Sequence, residues 1–357
     1  MFKRISLLVL LLSMTSIGPS LAQEWPSKKA IRIIAVFPPG GSVDAVARVL
    51  APALQEQLKQ SVIVENIGGA SGVIGTDAMV RAEPDGYTFA VVFDTHGVNQ
   101  SLKEKMPYDT KKDIANVTLI GTSPMVLVAS KSAGISSFKQ LVDETRAGKN
   151  VSYGTIGAGS LGHLAMATLA KKSNFEWTHI PYRGGGPMMA DALAGHVPLA
   201  IGSIFLIKPH IDSSRVVPLA VTSTQRSKDL PNIPTIAESG FPGFDAPAWW
   251  GVIAPVKTPP EMVRKMHQAM VVVLKRADIA KKLDDQGIDI LAGNPETFNT
   301  FLDKQMSQNP KAITLLEEVE MPLSRVLSAI EREGVNLDIP FLFHPMPDTL
   351  ISTFQGG

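Results

Sequence analysis

Three stretches of the sequence place glycine and hydroxyl residues where a strand would run into a helix. They are Phe37-Pro38-Pro39-Gly40-Gly41-Ser42-Val43-Asp44, Gly157-Ala158-Gly159-Ser160-Leu161-Gly162-His163 and Tyr182-Arg183-Gly184-Gly185-Gly186-Pro187. Glycine lets another group approach the backbone closely, and the free N–H groups at a helix start attract anions. The chemistry on offer is anion binding by the main chain. Arg183 adds a planar fork that can grip a carboxylate at two points. Any one of these loops could equally be an ordinary tight turn. Three of them in one chain weigh toward a shared ligand.

Other chemistries fit less well. Gly157-x-Gly159-x-x-Gly162 has the spacing of a dinucleotide fingerprint. The acid that would hold a ribose should end the second strand. Glu176 instead precedes the strand expected over 177–182. No Walker lysine follows any of the loops. His96, His163, His179, His196, His210, His267 and His344 show no H-E-x-x-H spacing, and no Gly-x-Ser-x-Gly elbow occurs. Ser160 and His163 share one helix start and could act as a nucleophile pair. A capping serine and a packing or ligand-contacting histidine explain them better. With Cys 0, disulfides, thiolate metal sites and a cysteine nucleophile are excluded. No cofactor or metal is expected.

The elements that must position these loops alternate. Residues 31–37 form a short apolar, β-branched run, read as a buried strand. Ser42 then suits an N-cap, with Asp44 in the first turn. Val43, Val46, Val49, Leu50, Leu54 and Leu58 follow at helical spacing. A strand over 61–65, a loop at 68–72, a helix over 75–82, a turn at 84–86 and a strand over 87–93 complete one α/β unit. The second unit has strands over 124–130, 151–156, 177–182, 197–201 and 216–222. Its helices cover 136–148, 160–172 and 188–194. A Pro/Gly-rich stretch, 241–247, reads as a crossing back, followed by a strand over 250–254 and a helix over 259–276. Trp249 and Trp250 are read as core or hinge packing.

The composition sets outer bounds. The chain has 357 residues, 34 Lys+Arg and 33 Asp+Glu, for a formal charge of +1. That balance argues against a nucleic-acid partner, which favours a basic footprint. At 45% hydrophobic and 19% charged, the chain can bury a core. Its length suits about two domains. Lys3 and Arg4 precede an apolar run over 5–17, too short for the ~20 residues that span a bilayer. Ser20-Leu21-Ala22 then offers a cleavage site. Residues 1–22 are therefore read as a signal peptide, and their loss takes the charge from +1 to −1. Without cysteine, the mature end cannot carry a lipoprotein anchor. The expected compartment is the periplasm, with the protein soluble there.

These stretches together resemble the receptors of tripartite tricarboxylate transporters, also called the Bug family. Besides the three loops, the resemblance rests on Trp25-Pro26, Val64-Glu65-Asn66, Pro84-Asp85-Gly86-Tyr87-Thr88, Pro107-Tyr108-Asp109, Glu238-Ser239-Gly240 and Trp250-Gly251. It runs from about residue 25 to 302. The resemblance implies an α/β, two-lobe periplasmic-binding-protein fold (type II-like). Each lobe would be a mostly parallel sheet flanked by helices. Lobe 1 would comprise 23–123 and 245–303, and lobe 2 would comprise 124–244. The two interlobe crossings would lie near 122–124 and 244–247. It implies no catalysis. A small organic carboxylate, or an amino acid, would sit between the lobes and pass to membrane permease subunits of the transporter. Carried over by position, Phe37, Gly40, Gly41, Ser42 and Asp44 would form one jaw. Gly157, Ala158, Gly159, Ser160 and His163 would form the other, with Tyr182, Arg183 and Gly184 beside them. His96 would face the cleft, and Asp191 matches an acidic position after the third loop. A monomer is expected. A receptor feeding a membrane sensor, or an exported enzyme using Ser160, His163 or Asp44, are the alternatives.

The end of the chain departs from that pattern. Residues 304–357 form an atypical segment, within which 315–335 resembles a non-catalytic piece of the DNA polymerase I family, read as a fusion or a faulty gene model. Leu316, Val319, Leu323, Leu327 and Ile330 have helical spacing, and a helix over 323–333 with a strand over 335–337 could replace lost family elements.

Overall fold

A computed structural model of the chain describes residues 25–102 and 105–319. The expected signal peptide over 1–22 and the suggested helix and strand at 323–337 lie outside the described residues. Among those described, no helix is long and apolar enough to cross a membrane.

The first apolar run becomes β1 (Ile31–Ala35), flanked in parallel by β2 (Val62–Asn66) and β3 (Thr88–Phe93), so that Ile33 lies beside both Val64 and Phe89. Ile31, Ile33, Ile34 and Ala35 are all buried. A parallel strand covered on both faces needs such a continuous apolar run. The cover is α1 (Ser42–Leu58) and α2 (Val73–Val80). Val46, Ala47, Leu50 and Leu54 of α1 form its buried stripe. α3 (His96–Leu102) follows β3.

The sheet then turns antiparallel. β4 (Ile114–Ser130) is 17 residues long and serves two wings of the sheet. Its first part pairs with β9 (Pro247–Pro255) and β10 (Asp289–Gly293), and β9 pairs in turn with β3. Its last part pairs with β7 (Leu199–Ser203) and β8 (Val216–Val221). The change of partners falls at Ser123 and Pro124, opposite Ala248 and Pro247. Neither proline has an N–H for a ladder, so pairing weakens where the wings meet. The strand begins ten residues before the expected 124. Its early Thr118, Gly121, Thr122 and Ser123 interrupt the apolar run that marks a strand in sequence.

The second wing repeats the parallel motif, with β5 (Val151–Thr155) between β6 (Trp177–Pro181) and β7. α4 (Phe138–Arg146), α5 (Leu161–Ser173), α6 (Gly185–Ala194) and α7 (Ile204–Asp212) complete it. α6 starts three residues before the expected 188. α7 had no expected counterpart, because Pro209 sits inside it.

α8 (Pro260–Lys275), α9 (Ala277–Asp284), β10 and α10 (Pro295–Val319) return to the first wing. Trp249 and Trp250 are fully buried. Trp249 meets Phe298 and Phe301 edge-on, and Trp250 lies 5.0 Å from Phe93 and 5.8 Å from Phe205, centre to centre. A Cβ on Gly251 would stand 2.2 Å from the Phe298 ring, so the Trp-Gly pair is needed to seat α10.

Candidate functional site

In the first loop, Gly40 takes φ +80° and α1 begins at Ser42. The N-cap is Gly41, not the expected Ser42, and no side chain caps from that position. Asp44 does the work from within the helix. Its Oδ2 accepts the Gly40 N–H at 3.0 Å, and its Oδ1 accepts Arg48 Nε at 2.8 Å and Asn66 Nδ2 at 2.9 Å. Asn66 also donates to the Phe37 carbonyl at 3.0 Å. Asp44 is thus a buried strut that shapes the loop, with its acceptors already engaged. Phe37 is buried, its ring edge-on to Phe93.

In the second loop, Gly157 and Gly159 take φ +148° and +73°. Ser160 caps α5, its Oγ accepting the His163 N–H at 3.3 Å. The Gly159 N–H donates to His163 Nδ1 at 2.9 Å. Nδ1 therefore carries a lone pair, and the proton of the neutral ring sits on Nε2. The Oγ and Nδ1 lone pairs are both spent on backbone N–H groups, which is the geometry of a cap and not of a nucleophile pair. The His163 ring stacks on His179 at 3.7 Å, and His179 Nε2 lies 2.7 Å from Thr155 Oγ1.

In the third loop, Gly184 is the N-cap of α6 at φ +146°. Tyr182 donates its hydroxyl to Asp191 Oδ2 at 2.8 Å, and His196 Nδ1 lies 3.4 Å from the other oxygen. Burial, then the Asp191 carboxylate, pushes the Tyr182 phenol well above its ordinary pKa, so it remains a donor. Asp191 anchors Tyr182 from along α6. Arg183 is exposed and has no ion pair or hydrogen bond among the described residues.

Tertiary structure brings the loops to one seam between the wings. A Cβ on Gly186 would stand 2.7 Å from the Pro39 carbonyl oxygen, and one on Gly184 3.0 Å from Pro38 Cδ. A fourth glycine loop, 68–72, joins them. Ser71 Oγ donates to the Ala158 carbonyl at 3.1 Å, and Asn99 Nδ2 to the Ser71 carbonyl at 3.0 Å. Val98 and Leu102 of α3 pack on Leu164 and Ala167 of α5, a small apolar cluster apart from the main core.

The seam encloses a cavity of about 10 Å³, lined by Ser42, Phe93, Met125, Ile156, Gly162, Ile201, Gly202, Ser203 and Leu206. That holds about one water. A larger ligand does not fit this cavity as it stands. A hollow of about 620 Å³ beside α4 touches none of the expected residues. Ser203 is a site residue that sequence reasoning missed. It caps α7, accepting the Leu206 N–H at 3.4 Å, and an apolar run ending in serine was its signal.

Asp94, after β3, and His96, at the start of α3, are also buried, each 2% exposed, and neither lines the seam cavity. Neither ring nitrogen of His96 has a partner among the described residues. Burial lowers its pKa to about 4. Neither Asp94 oxygen is in hydrogen-bonding geometry with a donor. Burial raises its pKa to about 8, tempered by the nearby N–H groups of Leu161 and Thr95.

Against known proteins, the family described as "Tripartite tricarboxylate transporter family receptor" matches residues 46–318. The match runs past 302, where the sequence departure was expected, and none of the relatives found supports a polymerase piece from 315. "Protein BugT" of Bordetella pertussis is 33% identical over 294 residues, 82% of this chain and 90% of that one. An R. palustris protein solved with adipate is 30% identical at TM-score 0.79, over 82% of this chain and 98% of that one. A second, MatC from Rhodopseudomonas palustris with bound malate, is 25% identical at TM-score 0.76, over 80% and 99%. Matched over most of its length in both sequence and fold, the chain belongs to the family of tripartite tricarboxylate transporter receptors.

Proposed function

We propose that the protein captures a small organic carboxylate between two lobes and delivers it to the membrane permease of a tripartite transporter. One observation carries this reading: the first residues of α1, α5 and α7 come together around a single cavity, through Ser42, Gly162 and Ser203. Helix N-termini supply N–H donors and a favourable field for an anion. The relatives with adipate and malate support the ligand class.

On this reading the wings are the lobes, 23–123 with 245–303 and 124–244, hinged where β4 and β9 exchange partners. The ligand-contacting groups are the backbones of Gly40, Gly41, Ala158, Gly159 and Gly184, with Ser42, Ser160 and the loops' flanking Phe37, Gly157, His163, Tyr182 and His96. Arg183 reaches the ligand from the rim. Asp44 and Asp191 position the loops. The leader 1–22 exports the chain, which works as a periplasmic monomer and performs no catalysis.

A thermal-shift screen of mono- and dicarboxylates, amino acids and aromatic acids tests this. A ligand at 100 times its Kd should stabilise the protein by about 2.7 kcal/mol. A shift with nucleotides and none with any carboxylate overturns the reading.

A further inference from the structure

Loop 68–72 lies between β2 and α2 of the first wing. In it Gly69, Ala70, Ser71 and Gly72 all take positive φ, at +131°, +49°, +58° and +90°. Glycine adopts such angles freely, whereas Ala70 and Ser71 are strained by their Cβ atoms. A residue with a side chain stays in that region only where its surroundings over-determine it.

Two bonds hold Ser71. Its carbonyl accepts Asn99 Nδ2 at 3.0 Å, which ties the loop to α3. Its Oγ donates to the Ala158 carbonyl at 3.1 Å, across the seam. The other end of that peptide unit, the Gly159 N–H, donates to His163 Nδ1 at 2.9 Å. The Ala158–Gly159 peptide is therefore fixed at its oxygen by the first wing and at its nitrogen by α5. α3 reaches the same place with apolar groups, where Val98 and Leu102 pack on Leu164 and Ala167 apart from the main core. Glycine is needed where these side chains press. A Cβ on Gly157 would stand 2.7 Å from Ser71 Oγ, and one on Gly159 would run into Leu102 Cδ1. All these cross-seam contacts are made by side chains of the first wing. They can break and re-form with both wings folded, and water readily replaces the exposed Ser71 bond.

We propose that Ser71 is a positioning residue for the second loop and forms, with Asn99, Val98 and Leu102, a latch that holds the wings together in the ligand-free protein. Closed, the latch sets the direction of the Ala158–Gly159 peptide; parted, it releases that peptide. This rests on the receptor reading above, in which the wings are lobes that move, and adds the contact on which they close.

Distance measurement between two spin labels tests it. The chain has Cys 0, so two introduced cysteines are its only labelling points. Gln57→Cys and Glu176→Cys put labels on exposed residues near β2 and β6, the opposite edges of the sheet. Pulsed electron spin resonance then reads the wing separation with no ligand added. The labelled protein should show a main population at the separation seen in this structure. Ser71→Ala should lower the ratio of that population to longer distances about threefold or more. Ser71→Gly should lower it equally, yet melt above Ser71→Ala, because glycine suits φ +58°. A merely structural serine would make the closed population follow the melting temperature. Leu102→Ala removes the apolar half of the latch, should lower the ratio at least as far, and decides the matter if the Ser71 variants fail to fold. Absence of a main population at the closed separation overturns the inference. A ratio unchanged by Ser71→Ala and Ser71→Gly does the same. Either result leaves the receptor reading standing where a carboxylate of the thermal screen raises the melting temperature. Where none does, and none of those acids changes the label distance, both fall.

Discussion

Replacing Gly186 by alanine should weaken ligand binding without weakening the fold. Gly186 is the second residue of α6, and its φ lies outside the left-handed region. Alanine there gains up to about 1 kcal/mol of helix propensity. Its Cβ would meet the Pro39 carbonyl oxygen at 2.7 Å and the Gly40 carbonyl carbon at 3.3 Å, both across the seam. Ordinary contact begins near 3.4 Å, so the wings would have to stay about 0.7 Å further apart at this point. The obstacle is backbone and cannot rotate away. Overpacking of this kind costs about 1–3 kcal/mol, and only in the closed form. The Kd should therefore rise about 5- to 150-fold. The melting temperature of the ligand-free protein should hold or rise wherever the open form predominates. Gly41→Ala is the comparison, since its Cβ would find its nearest neighbours at 3.6–3.7 Å, an ordinary contact, at a φ of −89°. Titration calorimetry and thermal melts on both variants measure this. A Kd for Gly186→Ala within twofold of wild type would refute the view that this seam closes on the ligand.

Ser160→Ala should lower stability by about 1 kcal/mol through loss of the α5 cap, read from urea unfolding. Asp44→Ala strands the Gly40 N–H and Asn66 and should cost about 1–3 kcal/mol, with Asp44→Asn recovering part of it; equal losses would deny the strut its role. Burial sets two opposite pH dependences. His96 falls from 6.5 to about 4, so the unfolded chain takes its proton first. That stability is whole above pH 6.5 and is lost on descent toward pH 4, on the order of 3 kcal/mol. Asp94 rises from 3.8 to about 8, so the folded chain keeps a proton the unfolded one sheds. Its contribution is whole below pH 3.8 and is lost as pH climbs toward 8. Unfolding free energies between pH 4 and 8 should flatten on the alkaline side in Asp94→Asn and on the acid side in His96→Gln. Unchanged slopes in both would contradict the burial of these groups.

Much of this protein is written in short-range signals. An apolar β-branched run, a glycine turn and an amphipathic helix are each decided within about fifteen residues. Strands β1, β3 and β5 and helices α1, α5 and α8 are therefore legible directly. The candidacy of the loops as anion sites is raised by the same kind of signal, since a helix start exposes its N–H groups whatever it packs against. β4 is not legible in full, because its polar first part is a strand only by virtue of β9 and β10 on either side. α7 and Ser203 hide behind Pro209. The roles of Asp44 and Asp191 also needed the fold. In sequence they are acids near glycine loops, and only their partners Gly40, Arg48, Asn66 and Tyr182 make them struts.

What tertiary structure alone decided is the seam. Pro39 meets Gly186, Ser71 meets Ala158, and Asp94 faces Leu161, each pair far apart along the chain. No local propensity encodes such encounters. They follow from two wings sharing two long strands, which brings three separate helix ends together around one small cavity.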